Sequence, residues 1–193
     1  MYLRKEIAVI IALVLVIVFL VSVKEFWESN IEKVNIQNYI KEDLGTKYPN
    51  SDVINILSME KKTNEGGEDY YFIKAVVIEG LYTPCPTRTN FYYNYPEQNF
   101  VTQPPEYVVK NCKVCWQDPC TILYSEEAII ASHTLEGTED VHTYVMGTTG
   151  ATSSVKEKED RWVVTWNSPL STKGYEVVVS KDGKVLSKNK LSE

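Results

Sequence analysis

The sequence has little of what enzymes use to move protons or hold metals. Its 193 residues include two histidines, His133 and His142. They stand nine apart, which is not the H-E-x-x-H spacing of a zinc hydrolase. No G-x-S-x-G, P-loop or G-x-G-x-x-G occurs. Carboxylate neighbours such as Glu126/Glu127 and Glu139/Asp140 are present, but adjacent residues on a helix do not face one another. A hydrolase needs a nucleophile beside a base, and no such pair can be picked out. The expectation is a non-enzymatic chain with no catalytic residue, no bound metal and no cofactor, its histidines structural or superficial. Clustered Lys/Arg is missing too. The net charge is −6, and setting aside Arg4, Lys5 and Glu6 leaves 18 basic against 25 acidic residues. A phosphate backbone is repelled on average, which excludes a nucleic-acid partner. There is no N-x-[ST] sequon.

What is present begins with one apolar run. Residues 7–23 read IAVIIALVLVIVFLVSV, without a charge and with one serine. As a helix this run rises roughly 25 Å, and Phe26 and Trp27 extend it toward the ~30 Å hydrocarbon core of a bilayer. A core helix of a globular protein is rarely apolar on every face. A cleaved secretory signal ends in small residues, whereas this run ends in Val21-Ser22-Val23-Lys24 before bulky Phe26 and Trp27. An uncleaved signal anchor is therefore expected, with residues 7–27 as the membrane contact. Arg4 and Lys5 precede the run, while Lys24 and Lys33 beyond it are diluted by Glu25, Glu28 and Glu32. The positive-inside rule then leaves the N-terminus in the cytoplasm and the rest outside, as a single-pass protein of the cell membrane.

The four cysteines, Cys85, Cys112, Cys115 and Cys120, fall within 36 residues. An even, clustered set in an exported chain points to disulfides, with three pairings open. One bridge from Cys85 into the 112–120 segment and one local loop within it is the favoured arrangement. An all-cysteine zinc site is the competing reading, but only Cys112/Cys115 has C-x2-C spacing. A redox C-x-x-C normally opens a helix, whereas Trp116-Gln117-Asp118-Pro119 looks like a loop.

Periodicity divides the remainder into two similar halves. Residues 31–44 carry Ile36, Tyr39, Ile40 and Leu44 at helical spacing, with Gly45 as a stop. Strands are expected at 53–59, 70–78, 88–95 and 106–111, with Phe91, Tyr93 and Tyr95 on one face. The second half predicts a helix over 125–133 capped by Ser125, with Glu126 and Glu127 in its first turn. Strands then follow at 142–146, 161–166, 175–180 and 184–187. Residues 147–154 read as a flexible connection, and Asp182-Gly183 as a I′ hairpin turn. The fold class is α+β: a transmembrane helix (1–27), then two units (28–121 and 122–193), each a helix against an antiparallel sheet.

Two stretches carry a family resemblance. Ser125-Glu126-Glu127-Ala128-Ile129-Ile130-Ala131 opens a helix, and Tyr175-Glu176-Val177-Val178-Val179 turns through Lys181-Asp182-Gly183-Lys184-Val185-Leu186. Over residues 125–188 the chain resembles the PepSY family, which implies an extracytoplasmic α+β module that binds or inhibits and has no catalytic residues. An apolar helix running into an amphipathic one before a β-rich head also resembles a type IV pilin in plan. Met1 to Glu6 holds no glycine for pilin processing, and no glutamate stands early in the apolar run.

The stretch from Tyr70 to Tyr107 holds seven of the 13 tyrosines together with Phe72, Phe91 and Phe100, which either fill the faces of a sheet, as Tyr71, Phe91, Tyr93 and Tyr95 would, or offer a recognition surface, as Tyr92 and the 96–100 loop would. Tyrosine offers large contact area with a polar tip. Tyr92, Tyr95 and Phe100 are the expected surface for a protein partner. The function expected is a membrane-anchored inhibitor, chaperone or assembly factor, with a pilin-like filament subunit as the alternative.

Overall fold

A computed structural model describes residues 2–96, 103–115 and 119–192. In the first helix, side chains are described at residues 14–24 and from residue 32 onward. The chain divides into two compact units, Met1–Thr46 and Lys47–Glu193.

The first unit is one helix. α1 runs unbroken through Tyr2–Lys47, so the expected anchor and the expected amphipathic helix form one element, and Gly45 lies inside its last turn. The helix ends where Tyr48 precedes Pro49, whose ring disfavours the α conformation in the residue before it. Ile36, Ile40 and Leu44 are buried and four residues apart, so they share one helix face. Val14 to Val21 and Val23 are all exposed. Among the described residues no helix is long and apolar enough to cross a membrane. The side chains of residues 7–13, Phe26 and Trp27 lie outside the description.

In the second unit, β1 (Val53–Thr63), β2 (Asp69–Glu79), β3 (Thr87–Tyr95) and β4 (Glu106–Val109) form an antiparallel meander in chain order. A tight loop closes β1 onto β2. Gly67 takes φ +82°, and the Asn64 side chain accepts from the Glu68 N–H. Alternation then sorts the faces. Tyr71, Ile73, Ala75 and Val77 of β2 are buried on the same side as Phe91 and Tyr93 of β3, as the period-two pattern predicts.

The second sheet repeats the meander with β5 (Thr152–Glu157), β6 (Arg161–Ser168), β7 (Ser171–Ser180) and β8 (Val185–Ser192). Two helices, α2 (Ser125–Thr134) and α3 (Glu139–Gly147), contribute to its core. Trp162, Val164 and Trp166 of β6 and Tyr175, Val177 and Val179 of β7 meet Ala128, Ile129, Ala131, Val141 and Val145 there. The indole N–H groups are satisfied inside this core: Trp166 donates to Ser132 Oγ at 2.8 Å and Trp162 to the Ile122 carbonyl at 3.2 Å.

Four local expectations are corrected. Residues 142–146 are helix, not strand: Glu139 and Asp140 occupy the first turn of α3, and Val141 and Val145, four apart, supply its buried face. The fourth strand of this sheet is β5, whose first three residues fall in the 147–154 stretch expected as a connection. Ser125 is the first helical residue of α2 and not its cap, because Glu127 reaches back to accept the N–H groups of Leu123 (2.7 Å) and Tyr124 (3.0 Å). The β7–β8 turn is not type I′, which requires positive φ at both central residues. Only Gly183 is left-handed (φ +75°), and its N–H returns to the Ser180 carbonyl at 3.1 Å.

Gly183 is also a contact point. A Cβ there would lie 2.3 Å from Cys120 Sγ and 2.7 Å from Cys115 Sγ. Gly137, with φ +86°, has open space around the same position. Gly137→Ala is therefore expected to cost only the left-handed backbone penalty of about 1–2 kcal/mol. Gly183→Ala should cost about 1–3 kcal/mol more through overpacking. Urea titration of the two variants against wild type checks the difference.

Candidate functional site

Tyr92 lies on the side of the first sheet opposite Phe91 and Tyr93, and the structure gives it a definite setting. Its ring stacks at 6.0 Å and 19° on Phe72, the diagonal neighbour on β2. Lys62 Nζ stands 4.2 Å from the Phe72 centroid and Lys74 Nζ 5.4 Å from that of Tyr92. Tyr92 donates its hydroxyl hydrogen to Glu106 at 2.5 Å, and Asn90 Nδ2 donates to the same carboxylate at 3.0 Å. These two donors hold the Glu106 carboxyl below its ordinary pKa, and the carboxylate in turn raises that of Tyr92. Two half-buried aromatic plates, flanked by ammonium groups and pinned at one tip, form a preorganised contact face. Tyr95 is half-buried on the opposite side, with Phe91 and Tyr93. Phe100 lies outside the described residues. Of the three residues expected at the partner surface, Tyr92 is the one placed on this face; Phe72, Lys62, Lys74 and Glu106 join it across the strands. Period two is legible in the sequence, but the partners across strands depend on register.

Toward its other end the same face becomes buried, at Val76, Ile78, Arg88 and Asn90. Arg88 Nη1 meets Glu126 of α2 at 3.3 Å, with both side chains buried, and its guanidinium lies 3.9 Å from the Tyr124 ring centroid. This ion pair joins the first sheet to the helical layer of the second. The spacing of 38 residues leaves no local signal for it. By position alone Glu126 is an ordinary first-turn acid. Next to it, burial raises the pKa of Glu127 against the lowering effect of its two backbone N–H partners.

The cysteines pair as Cys85–Cys112 and Cys115–Cys120, one bridge into the segment and one loop within it. None is free. Both sulfurs of Cys85–Cys112 and a ring nitrogen of His133 lie within 4.8 Å of one another. Joined to each other, these sulfurs are not thiolate ligands. The bridge instead fixes the neighbouring Pro84, whose carbonyl accepts from His133 Nε2 at 2.8 Å.

The two histidines, read as unrelated, are brought together. His133 in the last turn of α2 and His142 in the first turn of α3 place their Nδ1 atoms 3.4 Å apart. They border an open pocket of about 400 Å³ lined also by Glu136, Thr138 and Glu139. Nine residues spell no site in a strand, but they do when a helix–turn–helix folds them back. The amphipathic spacing of Val141 and Val145 was the signal that could have revealed it. Burial lowers the pKa of His133, and neighbouring His142 lowers it further, against the raising effect of the Pro84 carbonyl.

No protein-family model, curated protein or solved structure matches the chain.

Two outcomes follow from this geometry. Arg88→Met alone should strand the Glu126 carboxylate and cost about 3–5 kcal/mol, whereas Arg88→Met/Glu126→Leu should recover most of that loss in urea titrations. The second concerns acid. The unfolded His133 titrates near 6.5 and the folded one below it, so the unfolded chain takes up its proton first. Stability is fully present above that value and declines as pH falls through it. In metal-free protein, the urea midpoint should drop more between pH 7.5 and 5.5 for wild type than for His133→Phe.

Proposed function

We propose that this chain is a membrane-anchored, extracytoplasmic binding or accessory module of inhibitor, chaperone or assembly type, without catalytic function. The observation that carries the reading is the Phe72/Tyr92 stack between Lys62 and Lys74. A partner covering this face would desolvate two aromatic rings, the residue class enriched at interface hot spots. The partner chemistry that fits is a protein segment with apolar side chains for the rings and carboxylates for the two lysines.

The anchor rests on the side chains from Val14 to Val21, each more than half exposed on every side of α1. An apolar helix surface of that kind is unfavourable in water and suits a bilayer. Two disulfides fit an oxidising compartment. The PepSY-like reading of residues 125–188 supports the same class of function. A pilin-like filament subunit is the second reading, favoured by the continuity of α1 over 46 residues. Sequencing the mature N-terminus separates the two, since pilin processing would remove a leader.

The test uses full-length protein. It should sediment with membranes and require detergent for release. Capture of partners from solubilised membranes should then be compared for wild type, Phe72→Ala/Tyr92→Ala and Lys62→Glu/Lys74→Glu. Circular dichroism must first show each variant folded. Loss of the same partner in both variants is expected, with the aromatic pair costing about 2 kcal/mol or more of binding. Recovery of every partner by both folded variants would rule out this face.

A further inference from the structure

The His133/His142 pair carries an inference independent of the partner surface. His133 is buried and His142 exposed, so the pair reaches from the core to the open pocket. A carbonyl oxygen only accepts, so the 2.8 Å contact to Pro84 requires the hydrogen of neutral His133 on Nε2. Its Nδ1 then carries a lone pair and stands 3.4 Å from Nδ1 of His142. The separation of 3.4 Å is long for a nitrogen hydrogen bond, which falls at about 2.7–3.2 Å. It matches the ligand–ligand edge of a tetrahedral site: Zn–N bonds of about 2.0–2.1 Å set two nitrogens roughly 3.3–3.4 Å apart.

We propose that His133 Nδ1 and His142 Nδ1 form a two-imidazole site for a first-row divalent transition ion of the zinc and copper class. Three surrounding features fit. A metal-ligating histidine almost always gives its other N–H to a carbonyl or carboxylate, and Pro84 supplies that carbonyl, held in place next to the Cys85–Cys112 bridge. The pocket of about 400 Å³ beside the rings has room for water in the remaining coordination positions. Glu136 and Glu139 line that pocket and favour a cation. The nearby Lys188 ammonium is held by Asp140 at 2.5 Å and by the Gly137 carbonyl at 2.9 Å. With two nitrogen ligands and water, Cu²⁺ should bind more tightly than Zn²⁺, and Mg²⁺ and Ca²⁺, which prefer oxygen, hardly at all.

The experiment is titration calorimetry on full-length protein in detergent, chelator-treated and with its disulfides intact so that no thiolate competes. ZnCl₂, CuCl₂ and MgCl₂ are the probes. One Zn²⁺ per chain is expected, with no response to Mg²⁺. His142→Ala should weaken binding at least about tenfold, since loss of even an outer hydrogen bond to a ligand costs about 10–100-fold. Zinc should raise the melting temperature of wild type and not that of His142→Ala. His133→Gln should behave like His142→Ala. If that buried substitution prevents folding, the exposed His142 variant decides alone. Absence of Zn²⁺ and Cu²⁺ uptake by wild type would overturn the site, as would uptake unchanged in His142→Ala. The partner-capture experiment succeeds or fails separately, because neither histidine is altered in it.

Discussion

The buried Arg88–Glu126 pair is the constraint that makes separating the two halves of the second unit costly. Each sheet could have folded against its own apolar layer, and nothing in a four-stranded meander obliges it to pack against another. Burying two charges is expensive, and a buried pair is tolerated only when its partners stay together. By placing one charge on β3 and the other on α2, the chain makes separation of the two halves costly: either half alone would carry an unpaired charge on a surface shaped to bury it. The Tyr124 ring over the guanidinium and the apolar Val76 and Ile78 on the same sheet face complete the seam.

The cysteine segment reinforces that seam from the side. Cys85–Cys112 ties the start of β3 to the chain leaving β4, and its neighbour Pro84 holds the His133 ring of α2. Cys115–Cys120 rests against Gly183 at the β7–β8 turn, while Ile122 N–H donates to the Lys181 carbonyl. A short segment with few apolar residues thus touches both sheets. Its crosslinks restrict the unfolded chain and offset the entropy of ordering an irregular loop. The two candidate sites lie on opposite sides of this arrangement in character. The Phe72/Tyr92 face is a sheet surface left uncovered where the seam ends, and the histidine pair is made by the helix–turn–helix above the second sheet.

Much of the fold was legible because it is written in short-range pattern. The alternation of Phe91, Tyr93 and Tyr95 marks one face of a strand, since side-chain period follows from backbone geometry alone. The count and clustering of the cysteines pointed to one bridge from Cys85 into the 112–120 segment and one local loop, as Cys85–Cys112 and Cys115–Cys120 form. The misreadings arose where local signals conflicted. Residues 142–146 look like a strand in isolation, being threonine-, tyrosine- and valine-rich; the acidic first turn and the Val141/Val145 pair decide for helix once a core is there to receive them. The Asp182-Gly183 dipeptide permits more than one turn, and packing against Cys115–Cys120 accompanies the one adopted.

By itself, the sequence determined the α+β class, the strands of the first sheet, the clustering of the four cysteines and the one long apolar run. These depend on spacings of two to four residues or on residue type. Only tertiary structure decided that Arg88 meets Glu126, that Lys62 and Lys74 flank Phe72 and Tyr92, and that His133 and His142 face each other. Each of these depends on register or on the path of a turn. A one-residue change in either would leave composition and periodicity intact while separating the side chains.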